Sequence, residues 1–270
     1  MRLAVVGHVE WCEFVRVERV PARGDIVHSG ERWEEPAGGG AVSAVQLARL
    51  AGEADLYTAF GDDELGRRAR ERLEALGVRV HASVRDEPTR RAIVFVDDDG
   101  ERTITVLGDK LRPRGGDGKL PWERLATTDG AYFVSGDVEA LRAARRARVV
   151  VATPRELATL QRGGLQVDVV VGSGEDEGER FHATELDPPP RLVIATAGPL
   201  GGWAQPGGPY RAVPPDEPIV DAYGAGDAFA AGLTFALAEG RDDADAIAFA
   251  AACGAEALTR RGAHGVDAGG

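Results

Sequence analysis

A chain of 270 residues with 43% apolar content is long enough to bury the core of one large α/β domain. Its formal net charge of -12 and pI near 5.0 argue against nucleic acid or an anionic membrane as partner, because both would repel an acidic surface. A small molecule is the expected partner.

"LAVVG" (Leu3 to Gly7) is a short apolar run closed by glycine, as in a buried first strand. A helix would normally follow, yet "EFVRVERV" (Glu13 to Val20) alternates apolar and charged residues, and "IVHSGERWEE" after the "PARGD" turn is again strand-like. Next come a helix near Ala41 to Leu50, a strand "ADLYTAF", a helix "DDELGRRARERLEALG" and a strand "VRVHASV". "RAIVFV" and "RTITVL" around "DDDGE" give a hairpin with Gly100 at the turn. The two strand pairs, about 13–35 and 91–107, are predicted to combine into a small β lid.

Further strands are predicted at "GAYFVS", "ARVVVA", "VDVVVG" and "RLVIAT". Helices are expected near Val138 to Ala147, Pro154 to Gln161, Ala225 to Ala238 and Asp243 to Thr259. Near-continuous apolar strands separated by helices indicate a mostly parallel sheet covered on both faces. "GDKLRPRGGDGKLPW" and "GPLGGWAQPGGPY" read as loops. No internal repeat stands out, and no linker marks a second independent domain.

The isolated Cys12 and Cys253 suggest neither a disulfide framework nor a cysteine zinc site, and fit a reducing cytoplasm. Only Lys110 and Lys119 are lysines, so nearly all positive charge is arginine. The opening segment is too short in its apolar run for a signal peptide, and no segment approaches eighteen uninterrupted apolar residues.

The stretch that carries chemistry is "DAYGAGDAFAAG" (Asp221 to Gly232). If a helix begins near Ala225, the N–H groups of Ala225, Gly226 and Asp227 lack intrahelical partners, and Gly224 and Gly226 leave them uncovered for a phosphate. Asp227 in the first turn feels the positive end of the helix dipole, which is expected to favour its ionised, proton-accepting form. Plain helix stabilisation by a first-turn acid fits the pattern equally well.

This stretch resembles the D-T-x-G-A-G-D signature of the ribokinase-like (PfkB-type) carbohydrate kinases, with Ala222 in place of the usual threonine. The resemblance runs over nearly the whole chain, through "GGGAVSAVQLARLAG", "GDDELGRRARERLEALGV", "GERTITV" and "AACGAEALTRRGA". It implies a ribokinase-like three-layer α/β/α sandwich with a mostly parallel central sheet and a β-sheet lid, one kinase domain over residues 1–270. It also implies Asp227 as catalytic base, with the amides of Gly224, Ala225, Gly226 and Asp227 as an anion hole. Phosphoryl transfer depends on positioning and charge stabilisation, which such parts supply.

By the same resemblance "VIATAGPLGG" is a nucleotide segment with Thr196, Gly198 and Gly201, joined by Asp221 and, near the C-terminus, by Ala252, Gly254 and Ala255. Gly38, Gly39 and Gly40 would line the acceptor pocket together with Ser43, which replaces the family's usual asparagine. Cys12 falls near the place of a sugar-gripping aspartate, for which Glu10, Trp11 and Glu13 are the candidates to compensate. The N-x-x-E segment that organises magnesium is altered to "SGEDEGE", making Ser173 and Asp176 the nearest counterparts and Asp176 the candidate metal residue; "TPRE" (Thr153 to Glu156) is a competing alignment.

Walker A, HExxH, G-x-S-x-G and strand-linked GxGxxG motifs are missing. The expectation is a cytoplasmic ATP- and Mg2+-dependent kinase acting on a hydroxymethyl group of a sugar or sugar-like molecule. A monovalent cation is a further candidate cofactor, and a homodimer through the lid a candidate assembly. A nucleoside kinase on the same fold, and a catalytically weak nucleotide-binding regulatory protein, are the alternatives.

Overall fold

The computed structural model describes residues 1–265. Eleven of its strands alternate with six helices in chain order: β1 (Leu3–Val6), β2 (Glu10–Arg16), β3 (Glu31–Ala37), α1 (Gly39–Ala51), β4 (Ala54–Gly61), α2 (Glu64–Ala75), β5 (Val78–Arg85), β6 (Arg91–Val96), β7 (Arg102–Leu107), β8 (Gly130–Phe133), α3 (Val138–Ala144), β9 (Val149–Ala152), α4 (Leu157–Gly163), β10 (Val169–Ser173), β11 (Leu192–Thr196), then α5 (Ala225–Glu239) and α6 (Asp243–Ala257). The strands β12 (Gly202–Gln205) and β13 (Gly208–Tyr210) lie between β11 and α5.

Nine strands form the main sheet in the order β13-β12-β11-β10-β9-β8-β1-β4-β5. Every pair from β11 to β5 is parallel, and β12 and β13 add an antiparallel edge. The segment read as a loop, "GPLGGWAQPGGPY", is therefore a hairpin. Its glycines and prolines hid a strand pair whose pairing partner, β11, is supplied only by the fold.

Strand alternation divides the core. Leu3 and Val5 of β1, Tyr132 of β8, Val151 of β9 and Val169 of β10 face one cluster with α1, α2, α5 and α6, while Ala4, Val6, Phe133, Val150 and Val170 face another with α3 and α4. Two covered faces explain why these strands are apolar throughout rather than alternating with polar residues.

A second sheet has the order β3-β2-β6-β7, with β2 and β6 parallel and the outer pairs antiparallel. Residues 26–30 fall outside β3, which starts only at Glu31. The inner side of this sheet buries Cys12, Phe14, Trp33 and Val94 against Val42 of α1 and Tyr223. Phe14 stacks on Trp33 and meets Tyr223 edge-on, both with ring centroids 5.0 Å apart. The β6–β7 turn reaches the segment before α5, where the Ala222 N–H donates to the Gly100 carbonyl at 3.0 Å. No helix among the described residues is long and apolar enough to cross a membrane.

Candidate active site

The helices differ in how they begin. Asp63, Asp137 and Asp242 cap α2, α3 and α6 by accepting from the N–H groups of Gly66, Ala140 and Asp245 at 2.8, 2.8 and 2.9 Å. By contrast α1 and α5 start behind glycines, Gly38 at φ 82° and Gly224 at φ 76°, with no side-chain cap. These two uncapped starts come together: a side-chain carbon at Gly39 would lie 3.0 Å from Asp227 Oδ1.

The first intrahelical bond of α5 runs from the Ala228 N–H to the Gly224 carbonyl at 2.8 Å. The amides of Ala225, Gly226 and Asp227 stay outside that ladder. A carbon added at Gly226 would meet nothing within 4 Å, so an anion has room against these amides.

Burial pushes the Asp227 carboxyl up to about 7, with the Glu179 charge adding to the rise and Arg102 and Arg155 opposing it. This corrects the expectation that the helix dipole keeps Asp227 ionised, because desolvation outweighs the dipole here. A carboxyl titrating near neutrality is still suited to take a proton and release it again.

Arg155, just after β9, donates from Nε to Glu179 and from Nη2 to Asp176, both at 2.6 Å. Asp176 also accepts from the Gly178 N–H at 2.8 Å, and its own N–H donates to Ser173 Oγ at 3.2 Å. Asp176 is thus paired with an arginine, and among the described residues no three His, Cys, Asp or Glu side chains form a group able to hold a metal alone.

On the acceptor side, a carbon at Gly38 would lie 3.1 Å from Glu10 Cγ and 3.4 Å from His8 Cδ2. Glu10 is buried, with His8 Nε2 3.3 Å and Arg90 Nη1 3.1 Å from its Oε1. Burial raises the Glu10 carboxyl, but the His8 hydrogen bond and the charges of Arg90 and Lys110 oppose it, and the carboxyl lies below the usual range. His8 Nδ1 lies 3.2 Å from Ser135 Oγ, and burial lowers the imidazole pKa, favouring the neutral ring.

Several sequence-assigned residues lie elsewhere. Ser43 is fully buried and donates to the Asp227 carbonyl at 3.4 Å, clasping α1 to α5 rather than facing an acceptor. Cys12 is buried 3.6 Å from the Tyr223 hydroxyl, which accepts from the Gly38 N–H at 3.2 Å. Gly40 lets α1 close onto the chain after β1, where a side-chain carbon would come within 2.4 Å of the His8 carbonyl. Helix packing and an aromatic cluster claim these positions.

Of the nucleotide-segment residues, Thr196 ends β11 and remains partly accessible, while Gly198 and Ala252 are exposed. Gly254 brings α6 against the first turn of α5, its added carbon lying 3.3 Å from the Ala225 carbonyl. Asp221, Gly201 and Ala255 are buried. The Asp221 carboxylate accepts from the N–H groups of Tyr223 and Gly262 at 2.7 and 2.9 Å, and a carbon at Gly201 would strike the Tyr210 carbonyl at 2.1 Å. The contacts given for Asp221 and Gly201 are thus with the protein's own backbone. Sequence reasoning missed His8, Arg90, Arg102 and Arg155; only "TPRE" drew attention to the last of these.

The mostly parallel sheet thus brings an uncapped helix start and a carboxyl together at one place. The chain matches the pfkB family carbohydrate kinase over residues 1–115 and 157–267 and belongs to that family. It is 31% identical to an ATP-dependent ribose-1-phosphate kinase of Halopiger xanaduensis, covering 98% of this chain and 94% of the relative. A ribokinase of Arabidopsis thaliana is 24% identical over 97% and 77%. The structure of a Cryptococcus neoformans ribokinase in complex with ADP superimposes with a TM-score of 0.69 at 25% identity, over 97% of this chain and 95% of that one. The protein is accordingly a ribokinase-like kinase, a phosphotransferase whose acceptor is a sugar hydroxyl.

Proposed function

We propose that the protein transfers the γ-phosphoryl group of ATP to a hydroxymethyl group of a sugar or sugar-like molecule held between Gly38, Gly39, Glu10 and Asp227. One observation carries this reading: the uncapped starts of α1 and α5 converge on a carboxyl that titrates at about 7. Asp227 takes the proton of the acceptor hydroxyl as its oxygen bonds to phosphorus, and ADP departs. The amides of Ala225, Gly226 and Asp227 stabilise the charge on the phosphoryl oxygens, with Arg102 and Arg155 nearby in charge.

Magnesium brought with the nucleotide would neutralise phosphate charge. Asp176 and Glu179 are the carboxylates that fit a cation completed by water and phosphate. Both are paired with Arg155, so Arg155 would have to yield one of them.

The second sheet serves as a lid over the acceptor, excluding water and bringing Arg102 to the site. Its outer strand β7 exposes Ile104, Val106 and Leu107, the natural surface for a homodimer through the lid. Screening ATP-dependent product formation across sugars, sugar phosphates and nucleosides tests the reading. A product formed only with an acceptor supports it, and an ADP yield independent of every acceptor would overturn it. A nucleoside as sole acceptor would establish the alternative on the same fold.

A further inference from the structure

Tyr223 stands in the turn immediately before α5, and its side chain reaches from there to the lid and to the start of α1. Its hydroxyl accepts from the Gly38 N–H at 3.2 Å and lies 3.6 Å from Cys12 Sγ on β2, while its ring meets Phe14 of β2 edge-on. The backbone that carries it is fixed in turn, because the Asp221 carboxylate accepts from the N–H groups of Tyr223 at 2.7 Å and Gly262 at 2.9 Å.

The place of this bond ties it to the reaction. Gly38 directly precedes Gly39, whose added carbon would lie 3.0 Å from Asp227 Oδ1, and Tyr223 lies about one helical turn before Asp227. The bond therefore links the acceptor-side glycine turn to the base. Two further contacts hold the same pair of helices: Ser43 Oγ on the Asp227 carbonyl at 3.4 Å, and Val42 Cγ1, which would lie 2.9 Å from a carbon placed at Gly224. The Tyr223 bond differs from these in that its acceptor also leans on the lid.

Gly38 is buried, so without the phenol its N–H would have no acceptor among the described residues, and the turn would have to move to reach water. Burial holds the Tyr223 hydroxyl well above the usual tyrosine range and pushes the Cys12 thiol up to about 12, so both stay protonated at neutral pH. A phenol is the stronger donor of the two, so its hydrogen goes to Cys12 Sγ and its lone pair is left for the Gly38 N–H.

We propose that Tyr223 is a positioning residue for the transfer: its hydroxyl sets the gap between Gly39 and Asp227 in which the acceptor hydroxyl meets the base, and keeps that gap too narrow for stray water. This rests on the kinase reading above and adds a residue to it. Tyr223 acts through Gly38 and Gly39, so its loss misplaces the acceptor relative to Asp227 without removing a reacting group.

The test replaces Tyr223 by phenylalanine, which keeps the ring against Phe14 and removes only the hydroxyl. With ATP and the best acceptor from the screen, kcat is expected to fall about tenfold while KM for ATP changes by less than about twofold. The share of ADP formed by hydrolysis rather than transfer should rise at least about threefold, because water enters the widened gap. The acid-side midpoint of kcat/KM should move down from near 7 by about 0.5 in pH or more, since burial is the largest cause raising Asp227. Glu10, Glu179, Arg102 and Arg155, whose charges also act on Asp227, are left in place. Phe14→Leu is the control: it loosens the same aromatic cluster and should lower the melting temperature while leaving kcat, the hydrolysed share and the midpoint near wild type. Should Tyr223→Phe not fold, Cys12→Ala removes the partner of the phenol hydrogen, and kcat should fall about threefold with the midpoint again lower. Unchanged values in the folded variant, or equal changes in Phe14→Leu, would overturn the positioning role and leave the kinase reading standing. Failure of every acceptor to yield product would overturn both.

Discussion

Replacing Asp227 by asparagine keeps the shape of the side chain and removes its charge, which separates chemistry from fold. The folded carboxyl titrates at about 7, against 3.8 for an unperturbed aspartate. Because the acid is raised, the folded state binds the proton more tightly than the unfolded one. Stability therefore falls as pH rises from about 4 to about 7 and stays low above that. At about 1.36 kcal/mol per pH unit, the full cost at pH 8 is on the order of 4 kcal/mol. Asp227→Asn should recover most of it, raising the melting temperature at pH 8 by roughly 5–10 °C. Differential scanning calorimetry at pH 5 and pH 8 is the assay, and the gain should shrink to less than about half at pH 5. The same variant should lose about 100-fold or more in kcat while its ATP affinity changes by less than about threefold. A variant no more stable than wild type at pH 8, or one with near-normal turnover, would refute the assignment of Asp227 as a half-buried base.

Gly39→Ala places a carbon 2.9 Å from Val134 Cγ1 and 3.0 Å from Asp227 Oδ1, so turnover should fall about tenfold or more with little change in ATP binding measured by calorimetry. Gly226→Ala meets no atom within 4 Å, so its melting temperature should stay within about 2 °C of wild type; kcat should nevertheless drop, because the methyl group occupies the anion's space. Since the base must be ionised, kcat/KM should decline on the acid side with a midpoint near 7, read from a profile between pH 5.5 and 8.5. A profile flat through pH 7 would show that Asp227 does not limit the reaction.

Much of this fold was legible because its signals are local. The parallel strands announce themselves as apolar runs, since both of their faces are buried, and the helix starts at Gly39 and Ala225 follow directly from their glycines. The edge hairpin of β12 and β13 was not legible: five of the nine residues Gly202–Tyr210 are glycine or proline and read as turn formers, and only the pairing to β11 makes them strands. The site divides the same way. Asp227 and Gly226 could be read from one segment, whereas the packing of Ser43 between α1 and α5 could not, because a side chain's direction depends on what packs against it. The ionisation of Asp227 was misjudged for a similar reason. The helix dipole can be inferred from sequence, but the desolvation that exceeds it comes from elements far apart in the chain, among them Gly39 and Val134 beside the carboxylate. Arg90 before β6, Lys110 after β7 and Arg155 after β9 likewise acquire meaning only when the fold brings them near Glu10, Glu156 and Asp176.

The central claim is transfer of a phosphoryl group to a hydroxymethyl oxygen with Asp227 as base. Phosphorus–proton correlated NMR of the product made from ATP and the best acceptor reads the position of the new bond directly, and the Asp227→Asn variant run in parallel reads the base. The account predicts a phosphorus signal coupled to the two protons of a CH₂ group, formed at least about 100-fold more slowly by the variant. A new phosphate on a ring hydroxyl, or equal rates for the two proteins, would contradict it.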